Sequence, residues 1–197
     1  QPGARRRGAR SSFAGDAGAM TCTLHHDSID PETLALLRLV AAGGSSAARC
    51  SLIDSFGGAA RAIAAGPAAW REAALPEDVI AALANAAPPP GALAWVHAPA
   101  RHLIGWHQDD YPPLLRKSPN PPLALFVAGD PSLLWQPSVA IVGSRGPTPG
   151  GRDNARDFAR AFAASGLVVG SGMAAGIDTA AHDATLEAGG RAVAALG

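Results

Sequence analysis

Val139-Ala140-Ile141-Val142-Gly143-Ser144-Arg145 opens the stretch that decides the fold. Leu167-Val168-Val169-Gly170-Ser171-Gly172, followed by Gly176-Ile177-Asp178, closes it. Each part begins as a short apolar run and stops at small residues. A helical pattern lies between them, and another follows Asp178. The order is strand, loop, helix, strand, loop, helix. Such units build parallel sheets and gather their strand-to-helix loops on one edge, where ligands bind. The spacing predicts an α/β fold with a parallel sheet, and it directs the search for function to these two loops.

The first helix is expected to start near Gly150 or Gly151. Ala155, Phe158, Ala159, Phe162 and Ala163 share one face and are expected to pack on the sheet. Arg152, Arg156 and Arg160 share another. A rise of about 1.5 Å per residue puts Arg160 roughly 12 Å beyond Arg152, so only Arg152 is expected at the loop edge. Arg156 and Arg160 read as a solvated face paired with Asp153 and Asp157. The second helix is expected from Ile177 to Ala188, with Ile177, Ala180, Ala181, Ala184 and Ala188 as its apolar stripe. A further strand, Ala192 to Leu196, follows.

Arg145 stands where a buried strand ends and a loop opens. Loop amides and a nearby helix N-terminus favour anions there, and a guanidinium adds bidentate phosphate contacts. Asp178 and His182 are four apart on one helix face. They suit an acid–base pair, but a first-turn carboxylate bonded to its own helix or to His182 is the commoner arrangement. No Ser-His-Asp set, paired Glu or phosphate-binding Lys accompanies the loops, so no catalytic constellation is displayed. Gly170-Ser171-Gly172 with Gly176 resembles a stretched dinucleotide fingerprint. That fingerprint needs an acidic residue ending the next strand to hold ribose. Neither candidate strand ends in one, which argues against a dinucleotide cofactor.

The first half is helical in pattern. Asp30 suits an N-cap, Pro31 the first helical position and Glu32 the first turn. Leu34, Leu37 and Val40 then recur at helical spacing. Gly43-Gly44, Gly57-Gly58 and Gly66-Pro67 break the pattern, giving five short helices through Leu83. Residues 20–87 are expected to form a small helical domain, and residues 88–92 a stiff Pro-rich linker. Arg38, Arg49, Arg61 and Arg71 are its few basic residues, favouring a docking or scaffold role over nucleic-acid binding. Residues 93–197 are assigned to the α/β domain. Within it His97, His102 and His107 lie near Asp109 and Asp110, but the five-residue step from His102 to His107 fits neither a helix nor a strand face, so metal is not favoured. Leu123 to Val127 reads as a strand that flanks the sheet beginning at Val139.

Hydrophobic residues make up 48% of the chain, enough for a core, and the formal net charge is zero, so any nucleic-acid contact needs a local basic patch. Two cysteines, Cys22 and Cys50, have no metal spacing and suit a reduced, cytoplasmic protein. No run approaches the roughly 18 apolar residues of a membrane span. Residues 1–19 carry Arg5, Arg6, Arg7 and Arg10 without an apolar segment. They read as a disordered extension, with Met20 as the start of the protein proper.

Taken together, these residues resemble the DNA-processing protein A family (DprA, also called Smf). The resemblance spans Met20 to Gly197. It is strongest at Tyr111-Pro112, Pro121-Pro122, the run ending Gly143-Ser144-Arg145, Ser171 to Asp178, Ala181-His182 and Gly189-Gly190. It implies a Rossmann-like parallel sheet preceded by a small all-α domain similar to SAM or helix-hairpin-helix modules. It also implies a non-catalytic protein that binds single-stranded DNA, helps load RecA in natural transformation, and forms homodimers. On that resemblance Ser144 and Arg145 contact the DNA backbone, Gly143 allows its close approach, Ser171 and Gly172 line the same pocket, and no cofactor is needed. Arg152 joins them as the one helix arginine expected at the loop edge. The family's Rossmann-like domain runs well past the strand ending at Leu196, so an uncovered edge prone to aggregation is expected here. Two alternatives stand beside this reading. One is a nucleotide phosphoribohydrolase of the lysine decarboxylase-like group, whose Gly-Gly-x-Gly-Thr-x-x-Glu loop is not found through Gly197. The other is an inactive truncated remnant.

Overall fold

The structure, a computed structural model, describes residues 29–196. The readings made for residues 1–19, Met20 and Cys22 lie outside the described residues.

Four helices make the first unit: α1 (Pro31–Ala41), α2 (Ser46–Phe56), α3 (Ala59–Glu72) and α4 (Glu77–Asn85). The Asp30 carboxylate caps α1 by accepting from the Thr33 amide at 3.0 Å, and that bond holds the carboxyl below its ordinary value. Ala35, Leu36, Leu37 and Leu39 form the buried face of α1, while Leu34 lies at its rim. Gly57 ends α2 in the left-handed conformation. At Gly66 the backbone leaves helical geometry, with φ 77° and ψ 177°, so α3 is two helical pieces joined at Pro67, and the five expected segments are present. Trp70 donates its indole N–H to the Ala62 carbonyl across that kink at 2.7 Å.

The arginines of this unit are engaged internally. Arg49 is buried and donates to the carbonyls of Leu39, Val40, Gly44 and Ser45, closing the C-terminal end of α1. Arg38 holds the Ala86 carbonyl at the start of the Pro-rich segment. Arg61 bonds the Gly57 carbonyl, and Arg71 pairs with Glu77 at 2.7 Å. Burial also pushes the Cys50 thiol up to about 11, so it behaves as a small apolar side chain.

A short helix, α5 (Ala92–Val96), leads into an antiparallel hairpin of β1 (Arg101–Gly105) and β2 (Ala124–Ala128), with α6 (Pro113–Arg116) between them. The expectation that Leu123 to Val127 flanks the sheet at Val139 is therefore corrected. Leu123 is buried in the core of the helical unit, with Leu103, Trp106 and Ala124 packed against it. This burial draws the strand towards the helices, and β1 satisfies its backbone. Glu32 secures the junction: it accepts from the amides of Ala59 and Ala60, and its carboxylate lies 2.8 Å from His107 Nε2. His107 is thus spent on packing, and His102 and His97 are exposed apart from it. Tyr111 is buried, donates its hydroxyl to the Pro122 carbonyl at 2.8 Å, and is pushed up to about 12 by burial.

A 3-10 turn (Pro131–Trp135) leads to the second sheet. Its strands β3 (Ser138–Ala140), β4 (Val168–Ser171) and β5 (Arg191–Ala194) are all parallel, in the order β3-β4-β5. Helices α7 (Pro149–Ala164) and α8 (Ile177–Glu187) make the crossovers and pack on one face, where Ala159, Val169, Ala181 and Ala184 form a core with Val139, Ile141 and Phe162 against it. Phe158 does not join this core. It is 60% exposed and stacks on Phe162 with ring centroids 6.0 Å apart. Alanines at 155 and 159 of α7, and at 180, 181 and 184 of α8, bring the helices too close for a ring between them. Gly190 shows the same closeness, since a Cβ there would lie 2.5 Å from Ala163 Cβ.

Candidate nucleic-acid interface

Both strand-to-helix loops emerge at the C-terminal edge of the parallel sheet. The first follows β3. Ile141 still donates to the Gly170 carbonyl at 2.9 Å, so pairing continues one residue past the strand, and Val142 then turns outward at 72% exposure. In Gly143-Ser144-Arg145 each residue has a different task. A Cβ on Gly143 would lie 2.8 Å from the Ile177 side chain, so this glycine lets the start of α8 pack beneath the loop. Close approach to a ligand was the sequence-based reason for it; the structure supplies this packing reason. Ser144 Oγ accepts from the Gly146 amide at 3.1 Å, which tightens the turn and leaves the hydroxyl proton free to donate. Arg145 is exposed and makes no side-chain hydrogen bond or ion pair among the described residues.

The second loop lies directly against the first. Gly176 has φ 93°, and a Cβ there would lie 2.3 Å from the Ser144 carbonyl oxygen and 2.7 Å from that of Arg145. The Ile177 amide donates to the Ser144 carbonyl at 3.1 Å. The first turn of α8 is therefore partly filled by the neighbouring loop. Asp178 is buried and turns back to accept from the amides of Gly172 at 3.2 Å and Ala174 at 3.3 Å. This carboxylate shapes the loop. His182 shows no bond to it, and the His182 Nε2 atom is enclosed without a partner. Ser171 is likewise internal: it is 5% exposed and donates its hydroxyl to the Ile141 carbonyl at 2.7 Å. Its side chain ties the two strand ends together and faces away from any ligand on the loop surface. Gly172 is exposed, but its amide is committed to Asp178. At the loop tip Met173 adopts φ 60° with an exposed side chain, a strained conformation for a residue with a Cβ.

Helix α7 supplies the third side. Thr148 caps it by accepting from the Gly151 amide at 3.1 Å. Arg152 lies in its first turn and faces Ala175 and Gly176 across a shallow groove of about 340 Å³. Arg156, read from sequence as a remote solvated residue, lines the same groove, while its ion pair with Asp153 is loose at 3.7 Å. Helix α8 packs along α7, and its residues Thr179, Ala180 and Asp183 line the groove with Arg156, so the groove reaches a turn further than the helix start implies. Arg160 lies on a solvated face and pairs with Asp157, as the sequence predicts, and also with Glu187 of α8.

Removing the Asp178 carboxylate tests its structural task. Asp178→Ala leaves two amides without an acceptor and is expected to cost about 1–3 kcal/mol, whereas Asp178→Asn keeps an acceptor oxygen and costs less. Urea unfolding monitored by tryptophan fluorescence reads the order. Equal midpoints for the two variants contradict the assignment.

Fold and site thus define a Rossmann-like α/β protein with an anion-suited loop edge. Residues 102–197, just under half of the chain, match the family described as DNA recombination-mediator protein A, and this match together with relatives called DprA and Smf supports a likeness to that family. It is similar to protein Smf of Escherichia coli, with 39% identity over 105 residues, covering 53% of this chain and 28% of that one. It is also similar to DNA processing protein DprA of Streptococcus pneumoniae, with 40% identity over 89 residues, covering 45% and 31%. The matched stretches amount to less than a third of the length of these relatives. The X-ray structure of DprA from Streptococcus pneumoniae shares the fold, with a TM-score of 0.66 over 85% of this chain and 58% of that one at 23% identity. No helix among the described residues is long and apolar enough to cross a membrane.

Proposed function

We propose that this chain binds single-stranded DNA through the phosphate backbone, at the edge formed by its two loops, and acts without catalysis. The observation that carries this reading is Arg145. It is exposed and uncommitted on a turn that Ser144, Gly176 and Ile177 hold rigidly in place. A free guanidinium on a fixed turn suits phosphate, which every nucleotide presents. Ser144 adds a hydroxyl donor beside it, and Arg152 a second cation across the groove. Gly143 and Ser171 support the frame. The match of residues 102–197 to a recombination-mediator family agrees with a DNA ligand. The commitment of Asp178 to loop amides agrees with a non-catalytic role.

On the same reading the bound strand is handed to RecA during natural transformation, in the cytoplasm, by a protein that self-associates. The family description and the relatives named DNA processing protein support a DNA-related partner.

Fluorescence anisotropy of a labelled 20-nucleotide oligo(dT) titrated with the chain tests the proposal. Binding should weaken linearly on a plot of log K against log salt, with a slope of about −0.7 for each phosphate neutralised. Absence of binding at 50 mM NaCl, or binding that salt leaves unchanged, overturns it.

A further inference from the structure

We infer that the groove between α7 and the start of α8 carries the strand's backbone away from the first loop, with Arg152 and Arg156 on successive phosphates and Asp183 ending the run. This inference rests on the single-strand reading above and extends it along the surface.

Continuity comes first. Gly176 lies against the carbonyls of Ser144 and Arg145 and also lines the groove. A backbone held by Arg145 therefore has the groove as its neighbouring surface. Spacing comes next. Arg152 and Arg156 are four residues apart on α7, so they share a face and are separated by about 6 Å along the helix. That is the scale of one repeat of an extended sugar–phosphate chain. Arg152 has no ion-pair partner among the described residues, and the link from Arg156 to Asp153 is long enough to yield to a phosphate. Shape agrees: Ala175, Gly176 and Ala180 leave a shallow floor with no aromatic side chain. Bases have nothing to stack on and must face solvent, so the groove reads backbone and not sequence.

Asp183 limits the path. It lines the groove on α8, one turn beyond Thr179, and repels a phosphate that travels further. Thr179 offers no donor, because its hydroxyl is already given to the Ala174 carbonyl at 2.8 Å. The contact set is thus two arginines beyond Arg145, bounded by one acid.

The test uses the full chain and labelled oligo(dT) between 50 and 200 mM NaCl. Replacing both arginines with alanine should weaken binding about tenfold at 50 mM and flatten the salt slope by about 1.4, two phosphates' worth. Replacing both with lysine should preserve the slope. Asp183→Asn should strengthen binding several-fold. Thermal melts check that each variant remains folded. If Arg145→Ala weakens binding while the double alanine variant keeps the wild-type slope, the groove assignment falls and the loop reading stands. If neither substitution changes binding, or the wild type does not bind, both fall together.

Discussion

Arg145→Ala is expected to weaken oligo(dT) binding by about tenfold or more at 50 mM NaCl, or about 1.4 kcal/mol. The salt slope should fall by about 0.7, the contribution of one phosphate on a single strand. Stability should barely move, because the side chain is exposed and bonds to nothing else among the described residues; such surface changes stay within about 0.5 kcal/mol. Arg145→Lys separates charge from geometry. Lysine keeps the cation and hence the slope, but it lacks the planar fork that grips two phosphate oxygens together. Its affinity should fall between wild type and the alanine variant. Ser144→Ala makes a milder companion, since it removes one donor and the bond that tightens the turn at Gly146. Wild-type affinity for Arg145→Ala would remove the residue on which the functional reading rests.

Much of this site is legible in the sequence because parallel β-α-β units have a strict grammar. The apolar runs at Val139 and Leu167 become β3 and β4, and the strand predicted from Ala192 becomes β5. Arg145 is read correctly as the residue standing at the loop edge, since strand ends and small residues locate that edge without any tertiary contact. What stays hidden depends on how segments pack. Nothing in Arg101-His102-Leu103-Ile104-Gly105 alternates strongly enough to announce a strand, and β1 forms because β2 and the helical core sit beside it. Leu123 looks like the start of a sheet strand until the helical core claims it. Ser171 looks available beside Gly172, yet the parallel register places it opposite Ala194 and turns its hydroxyl on to Ile141. Arg156 shares a helical face with Arg152, a visible signal. Its place in the groove emerges only when α8 packs along α7.

Several of the most recognisable residues hold structure. Tyr111 anchors the Pro121-Pro122 turn, Gly143 makes room for Ile177, and Asp178 fixes the second loop. The result is a rigid frame of small and buried groups behind an exposed arginine. Rigidity of this kind has functional value, because a preorganised donor loses less freedom when phosphate arrives. It also means that damage to the frame and damage to the contact residue have distinct signatures.

Gly176→Ala is expected to produce the largest effect in the chain and to show the frame's signature. The added methyl would meet two carbonyl oxygens, at 2.3 Å from Ser144 and 2.7 Å from Arg145. Neither can retreat easily: Ser144 is held by the Ile177 amide at 3.1 Å and its turn by the bond to Gly146. The φ of 93° adds strain of its own for any residue with a Cβ. Overpacking costs about 1–3 kcal/mol and a disfavoured backbone conformation about 1–3 kcal/mol more, so together these imply a loss of roughly 3–5 kcal/mol. For a chain of this size, the melting temperature should fall by about 10 °C or more. DNA binding should fall as well, because the first loop must move to release the clash and carries Arg145 with it. Gly150→Ala supplies the control. Gly150 lies in the first turn of α7, and a Cβ there meets nothing within 4 Å. Alanine favours helix by about 1 kcal/mol over glycine, so this variant should melt at or above the wild-type temperature and bind normally. Circular dichroism melts on the two variants read the contrast. If Gly176→Ala melts with wild type, the two loops are not packed as described, and Arg145 loses the rigid turn that makes it a binding residue.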